Sequence, residues 1–221
     1  MFGSSAIYLG NYYHSVDVEK YMTSSSEVTI KKFDKGWFFD GAGEEKALIF
    51  YPGAKVATEA YAPLMYQLAE SGIDCFLVDI LFHMAFFGMN RAEEIMQEYN
   101  YEAWYLGGHS LGGAMAANFA ADYVEDHTDG IRGLLLLAAY PTKDLSTSDM
   151  SVVTIYGSED GVLNMDKIVA GRELMPQDYK EVCIEGGNHA QFGSYGAQKG
   201  DGTAAIPAEE QWARTVEVFI E

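Results

Sequence analysis

The sequence predicts an α/β fold in which helices cover both faces of a mostly parallel sheet. Continuous apolar runs, such as residues 47–51 and 134–137, are typical of strands that are buried on both faces. Segments with a helical spacing of apolar residues alternate with these runs, as parallel pairing requires. Residues 27–39 are the exception, because alternating polar and apolar residues around a turn at 34–36 predict an antiparallel hairpin at one edge.

The predicted elements follow one another without a linker or an internal repeat. After the hairpin, strands are predicted at residues 47–51, 75–78, 103–106, 131–138, 151–156 and 179–184. Helices are predicted at residues 16–22, 58–70, 90–99, 114–123, 164–174 and 206–221. We therefore expect a single domain over residues 1–221, with an N-terminal extension and edge hairpin in 1–45 and the core in 46–221.

Composition and charge exclude several classes of function. The 221 residues carry a net charge of −19, which repels nucleic acid and anionic membrane surfaces, so we expect no nucleic-acid partner. No window holds the roughly 18 apolar residues of a membrane span, so no transmembrane segment is expected. Residues 1–13 lack the basic region and the apolar core of a signal peptide. The expectation is a soluble cytoplasmic protein, or an extracytoplasmic one if an N-terminal anchor has been removed; the oligomeric state is not indicated.

The two cysteines, Cys75 and Cys183, each lie within an apolar, strand-like run. Neither has a second cysteine or a histidine at metal-ligand spacing. The sequence also lacks a phosphate-binding loop and a dinucleotide-binding motif. We therefore expect two buried free thiols, no metal site and no organic cofactor.

The motif Gly108-x-Ser110-x-Gly112 stands between a predicted strand at 103–106 and an Ala-rich predicted helix at 114–121. Strand, motif and helix form the context of a nucleophile elbow, a sharp turn that lifts a serine hydroxyl clear of the sheet. The small residues on either side of the serine let strand and helix approach closely. The hydroxyl then lies at a helix N-terminus, where free N–H groups meet a developing negative charge. The alternative is a glycine-rich turn with an idle serine.

A serine hydroxyl becomes a nucleophile at neutral pH only with a base in reach and a carboxylate that orients the base. Of the five histidines, His189 follows the last predicted strand, in a glycine-rich loop at 186–202 that is flexible enough to bend back over Ser110. His83 precedes Ser110 in an apolar loop and is the second choice, or a pocket-lining residue. His109 adjoins Ser110, so its side chain is expected to diverge from the hydroxyl.

The orienting carboxylate is expected on the loop after the strand at 151–156. Asp160 lies at the C-terminal end of that strand, before Gly161, and Glu159 is the alternative. With Asp160, the groups follow the chain order serine, acid, histidine that belongs to this architecture. The carboxylate would fix the tautomer of His189 and stabilise the imidazolium. Asp160 could instead only shape a turn, as aspartate often does.

Two backbone amides are needed to stabilise the oxyanion that forms when the hydroxyl attacks a carbonyl. The first is the amide of Leu111, the residue after the nucleophile. The second is expected in the loop after the strand at 47–51, where we assign the amide of Ala54, with Lys55 as the alternative. Gly53 has the backbone freedom to turn that amide inward.

Apolar residues after Asp79 are expected to form the walls of a substrate pocket, unless they belong to the ordinary core. These residues are Leu81, Phe82, Met84, Phe86 and Phe87. Phe192 and Tyr140 are expected at the rim. Only residues 140–150 separate two of the core strands, too few for a helical lid, so the site is expected to be open and shallow. Such a site suits short or medium acyl groups better than long ones.

Several segments carry a family resemblance: the loop at 50–56, the elbow at 108–113, the turn at 157–161, and the loop segments 186–193 and 198–202. Together they resemble the α/β-hydrolase superfamily, and within it a bacterial group of small, lidless hydrolases distantly similar to the dienelactone hydrolases. The resemblance covers residue 46 to the C-terminus and implies an α/β-hydrolase fold without a lid domain. Ser110 departs from the cysteine nucleophile of the dienelactone hydrolases.

Motif order and resemblance together predict a serine hydrolase with the triad Ser110, Asp160 and His189. It would cleave carboxylic esters of short to medium acyl chain through an acyl-enzyme, with a small-molecule ester as its partner. The alternatives are a thioesterase, lactonase or peptidase on the same triad, or a catalytically silent α/β-hydrolase fold that acts as a binding module.

Overall fold

An eight-stranded sheet forms the centre of the computed structural model, which describes residues 12–79, 91–127 and 130–221. The strands are β1 (Thr29–Phe33), β2 (Gly36–Asp40), β3 (Lys46–Tyr51), β4 (Asp74–Val78), β5 (Ala103–His109), β6 (Ile131–Leu137), β7 (Ser151–Gly157) and β8 (Tyr179–Ile184). Their order across the sheet is β1-β2-β4-β3-β5-β6-β7-β8. β2 is antiparallel to β1 and β4, and all other pairs are parallel, so the predicted edge hairpin and parallel core are confirmed.

The strand order changes direction beside β3, and this places the C-terminal ends of β3 and β5 next to each other. The chain runs from β3 outward to β4 and then crosses back to β5, which pairs with the other side of β3. Tyr51, the last residue of β3, lies opposite Gly108 in the register of β5. A crevice at such a switch point, outside the carboxyl ends of the strands, is where open α/β sheets bind ligands.

The helices alternate with the parallel strands as the sequence predicts. They are α1 (Ala62–Glu70), α2 (Arg91–Glu98), α3 (Leu111–Asp126), α4 (Met165–Gly171) and α5 (Ala208–Ile220), with 3-10 turns at Glu19–Met22, Thr58–Tyr61, Arg172–Leu174 and Ala190–Phe192. The helix predicted at 16–22 is wrong except for its last turn, because Asp17 has a φ of 53° and interrupts any regular helix there. The predicted start at Asn90 lies outside the described residues.

The two faces of β3 explain why its sequence is apolar at successive positions. Leu48 and Phe50 pack in a core cluster with α1 and α5, while Ala47, Ile49 and Tyr51 pack in a second cluster with α2 and α3. Each residue of the run therefore has its own buried environment, and no alternation with polar residues remains. Burial of both faces is the main source of hydrophobic stabilisation in such a sheet.

One of the two cysteines differs from the prediction. Cys75 on β4 is buried as a free thiol, but Cys183 on β8 is exposed. β8 is the edge strand, and Val182 and Ile184 use its core-facing side. Because side chains alternate between faces, Cys183 is directed to the opposite face of this edge strand.

The connection between β6 and β7 consists of residues 138–150 and contains no helix, so the absence of a lid at this point is confirmed. None of the helices in the described ranges has both the length and the apolar character that a membrane crossing needs.

Glu181 anchors a polar cluster on β7 and β8. Its two carboxylate oxygens accept hydrogen bonds from Arg172 Nη2 at 2.7 Å and Nε at 2.8 Å. The hydroxyls of Tyr156 and Tyr179 donate to the same carboxylate at 2.9 and 3.1 Å. The hydrogen bonds from Arg172 are the main cause that lowers the pKa of Glu181 from 4.5 to about 2.

We expect Glu181→Gln to lower the free energy of unfolding by about 1–3 kcal/mol at neutral pH, because the amide removes the charge that Arg172 binds. A depressed folded-state pKa makes this contribution complete above about 4.5 and lost as the pH falls towards about 2. Urea denaturation over this pH range measures it, with Glu185→Gln, an exposed carboxylate beside the same strand, as the control. A difference between the two proteins that is independent of pH would contradict this prediction.

Candidate active site

Ser110 lies at a strained turn between β5 and α3. Its backbone has φ 53° and ψ −121°, which a residue with a side chain rarely adopts, and it caps the N-terminus of α3. Close packing enforces the turn: a Cβ atom on Gly108 would lie 2.5 Å from the carbonyl carbon of Gly112, and one on Gly112 would lie 2.3 Å from the oxygen of Pro52. The structure therefore places Ser110 in the conformation that the motif predicts.

His189 and Asp160 form a buried pair. Nδ1 of His189 lies 2.8 Å from Oδ2 of Asp160, and each side chain is 2% exposed. An ionised carboxylate only accepts hydrogen bonds, so Nδ1 carries the proton and Nε2 of the neutral ring is left as a base. The other oxygen, Oδ1, accepts the amides of Val162 at 2.9 Å and Leu163 at 2.8 Å, so Asp160 both shapes the turn and orients the histidine. The alternative, Glu159, is exposed and its carboxylate accepts from Ser158.

Ser110, Leu111 and His189 line one cavity of about 360 Å³. The rest of its wall is formed mainly by small or apolar side chains: Ala114, Met115, Ala138, Ala139, Tyr140, Thr142, Val162, Leu163 and Asn164. In the part of the chain that the structure describes, no hydrogen bond joins the Ser110 hydroxyl to His189. The two side chains lie on the wall of the same cavity. No carboxylate or ammonium group is among these lining residues.

The predicted pocket residues differ in where the structure places them. Tyr140 lines the cavity. Phe192 does not, because its side chain is 0% exposed in the core, where its ring centroid lies 5.7 Å from that of His109, so this assignment is corrected. The remaining predicted wall residues lie outside the described residues; they are Leu81, Phe82, Met84, Phe86 and Phe87, and the same holds for His83.

One predicted oxyanion donor lies at the N-terminus of α3 and the other in the adjacent loop after β3. Leu111 is the first residue of α3, so its amide has no carbonyl partner within the helix. Ala54 follows β3 in the loop that contacts Gly112, and within the described part of the chain its amide takes part in no hydrogen bond. Ala54 is not part of the wall of the 360 Å³ cavity. Lys55, the alternative, has a φ of 58°, and its carbonyl accepts the amide of Tyr13 at 2.7 Å.

Asp201 is a site residue that the sequence does not single out. Its Oδ1 accepts the amides of His189 at 3.2 Å, Gly161 at 3.1 Å and Gly202 at 2.9 Å, and its Oδ2 accepts that of Ala190 at 2.8 Å. One carboxylate therefore fastens the histidine loop to the loop that carries the acid. In the sequence, Asp201 stands in an Asp-Gly step within the segment 198–202, and such a step by itself indicates a turn.

His109 is buried against His189. The ring centroids lie 4.4 Å apart, and the side chain is 1% exposed. Burial, and then the proximity of His189, hold the pKa of His109 well below its usual range, so the ring is neutral. The side chain does diverge from the cavity, as expected from its place beside Ser110.

We expect Gly112→Ala to lower the free energy of unfolding by about 3 kcal/mol, because the new Cβ atom would overlap the carbonyl oxygens of Tyr51 and Pro52. Urea denaturation measures the loss. Gly171→Ala is the matched control, because its Cβ atom would meet Pro141 only at an ordinary 3.4 Å. Equal stability of the two variants would contradict the close packing at the turn.

Asp201→Ala is expected to cost about 2 kcal/mol or more, because it leaves the buried amides of His189 and Ala190 without an acceptor. Hydrogen exchange at the Ala190 amide is expected to accelerate together with the loss of stability. Asp178→Ala, on an exposed side chain, is the control. Unchanged exchange at Ala190 would show that Asp201 does not hold the histidine loop.

Comparison with known proteins bears on this arrangement. A search of curated proteins found no match. Among solved structures, the chain is similar to a thermostable esterase from Pseudomonas putida (15% identity, TM-score 0.62, covering 92% of this chain and 87% of the esterase). It is also similar to carboxyl esterase 2 from the fungus Tuber melanosporum (12% identity, TM-score 0.61, 94% and 88% covered) and to a carboxylesterase from Bacillus subtilis (9%, 0.55, 78% and 88%).

At these identities the structural similarity establishes the shared fold. The sequence itself matches the profile of the alpha/beta hydrolase family over residues 47–213, which includes the strained turn, the buried His189–Asp160 pair and the loop held by Asp201. The chain belongs to the alpha/beta hydrolase family.

Proposed function

We propose that this protein is a serine hydrolase that cleaves carboxylic esters of short to medium acyl chain through an acyl-enzyme. One observation carries the proposal. Ser110, at the strained turn, shares a cavity with His189. Nδ1 of His189 is hydrogen-bonded to the buried carboxylate of Asp160. Nucleophile, base and orienting acid are the three parts that acyl transfer to serine requires.

Each group has a defined step in the reaction. Nε2 of His189 takes the proton of the Ser110 hydroxyl as Oγ attacks the ester carbonyl carbon. The oxyanion accepts hydrogen bonds from the Leu111 and Ala54 amides, each worth about 3 kcal/mol of barrier. The protonated His189 then donates to the departing alkoxide, and the alcohol leaves. Asp160 stays ionised throughout and stabilises the imidazolium.

Hydrolysis of the acyl-enzyme repeats these roles. His189 removes a proton from water, the resulting hydroxide attacks the acyl carbon, and the same amides hold the second oxyanion. His189 finally returns the proton to Ser110 Oγ as the acyl group departs as a carboxylic acid. No group outside the chain is needed to balance either half of the reaction.

The size and the lining of the cavity favour a small, uncharged substrate. Its volume of about 360 Å³ and its apolar wall suit a short or medium acyl group. The net charge of −19 disfavours the approach of anionic substrates. The Pseudomonas putida and Bacillus subtilis proteins of similar fold are an esterase and a carboxylesterase, which is consistent with this choice of bond. A thioester or lactone would pass through the same steps, so direct comparison of these substrates sets the preference.

We expect a fluorophosphonate probe to label Ser110 and the protein to hydrolyse p-nitrophenyl butyrate faster than p-nitrophenyl palmitate. Ser110→Ala and His189→Ala are expected to lower kcat by about 10⁴-fold or more, and Asp160→Asn by about 10²- to 10⁴-fold. The matched controls are Ser146→Ala and His127→Ala, which change exposed residues outside the cavity wall and keep wild-type rates. Label on a different residue, or full activity in Ser110→Ala, would contradict the mechanism.

The same experiment separates the competing functions. Acyl-CoA and lactone substrates assayed beside the esters rank the bond types by kcat/KM. A folded protein that neither reacts with the probe nor turns over any of these substrates would instead be a binding module of this family.

A further inference from the structure

The loop at residues 52–55, here named the oxyanion loop, is tied to the elbow through one buried tyrosine. The amide of Gly53 donates to the hydroxyl oxygen of Tyr61 at 3.0 Å. The same hydroxyl lies 2.7 Å from Nδ1 of His109, the residue before Ser110. Tyr61 is 0% exposed and His109 is 1% exposed, so water does not compete for these bonds.

The donors and acceptors of these hydrogen bonds follow from the partners of the Tyr61 hydroxyl. The Gly53 amide can only donate, and burial raises the pKa of Tyr61, so the phenol is neutral and has one proton to give. That proton goes to Nδ1 of His109, which leaves the neutral ring with its own proton on Nε2. Among the described residues, Tyr61 is the one side chain that is hydrogen-bonded to the His109 ring.

These contacts connect the oxyanion loop with His189. The ring of His109 lies against that of His189, with 4.4 Å between centroids. At the other end, a Cβ atom on Gly53 would lie 2.8 Å from Tyr61 Oη and 2.9 Å from His109 Nδ1, so the loop backbone packs directly on the pair. The Gly53 carbonyl accepts the amide of Val56 at 3.3 Å, which holds the peptide between Gly53 and Ala54 in a turn. The Tyr61 hydroxyl holds the preceding peptide, between Pro52 and Gly53, and so fixes where this turn begins.

We propose that Tyr61 and His109 are positioning residues that hold the Gly53 amide inward and thereby direct the next amide, that of Ala54, towards the oxyanion formed at Ser110. The inference rests on the proposed ester hydrolysis. Neither residue touches substrate. Without the Tyr61 hydroxyl, the peptide between Pro52 and Gly53 is released, the turn that starts at Gly53 shifts with it, and the Ala54 amide no longer points at the oxyanion, while the Ser110, His189 and Asp160 side chains remain.

Tyr61→Phe tests the hydroxyl alone, because the ring keeps its packing against Phe50. With p-nitrophenyl butyrate, we expect kcat to fall about 10- to 100-fold while KM changes less than about twofold, because the donor acts on the oxyanion and not on the bound ester. Butylboronic acid, which forms a tetrahedral adduct on an active serine, is expected to bind more weakly by the same factor as kcat falls.

The matched control is Tyr195→Phe. Tyr195 is buried in the same aromatic cluster, 6.5 Å from the Tyr61 ring. Its hydroxyl donates to Gln198, whereas that of Tyr61 accepts from the oxyanion loop. This variant loses a buried hydroxyl as Tyr61→Phe does, and it is expected to keep wild-type kcat. Equal kcat in wild type, Tyr61→Phe and Tyr195→Phe would overturn the inference while leaving the proposed hydrolysis intact.

A second pair of variants tests the histidine. His109→Asn keeps an acceptor near the position of Nδ1, and His109→Leu has the same branching without an acceptor. We expect kcat of the Asn variant to exceed that of the Leu variant by about tenfold, because only Asn receives the Tyr61 proton. Equal kcat for the pair would show that His109 acts by packing alone.

A readout independent of turnover completes the test. Hydrogen exchange at the Gly53 amide is expected to be slow in the wild type and in Tyr195→Phe, and faster by about 10-fold or more in Tyr61→Phe. Unchanged exchange would contradict the inference even in an active enzyme. If the wild type neither reacts with fluorophosphonate nor hydrolyses any ester, the proposed function fails, and the inference fails with it.

Discussion

The close approach of α3 to the ends of β3 and β5 is the constraint on which the site depends. Because Gly112 packs against the carbonyls of Tyr51 and Pro52, the chain has to turn sharply at Ser110 and accept a φ of 53°. The same approach puts the loop after β3 beside the N-terminus of α3. Backbone strain at one residue is thus offset by the packing of two core strands and a helix.

Much of the fold and part of the site follow from the sequence, because local patterns encode them. Apolar runs with two buried faces predict the parallel strands, and glycines around Ser110 predict the turn. The assignment of His189 and Asp160 uses chain order and strand ends, and the structure pairs these two side chains at 2.8 Å. The parallel arrangement explains this pairing, since the loops after β5, β7 and β8 all emerge at the same edge of the sheet.

Other features depend on contacts between segments distant in sequence, and no local pattern reports them. Phe192 looks like a pocket residue but fills the core, and Asp201 looks like a turn but accepts four backbone amides. Tyr61 lies in an apolar helical stripe, where a tyrosine is ordinarily packing. Its hydroxyl meets Gly53 and His109 because the 3-10 turn at Thr58–Tyr61 packs beside the oxyanion loop and the end of β5.

Covalent trapping shows whether Ser110 receives the acyl group. p-Nitrophenyl dimethylcarbamate leaves a carbamoyl group that hydrolyses slowly, so the intermediate accumulates and its mass is measured on the intact chain and on peptides. We expect one dimethylcarbamoyl group per chain, on the peptide that contains Ser110, and one p-nitrophenol released for each group attached. A carbamoyl group on another residue, or turnover of the carbamate without any adduct, would contradict this expectation.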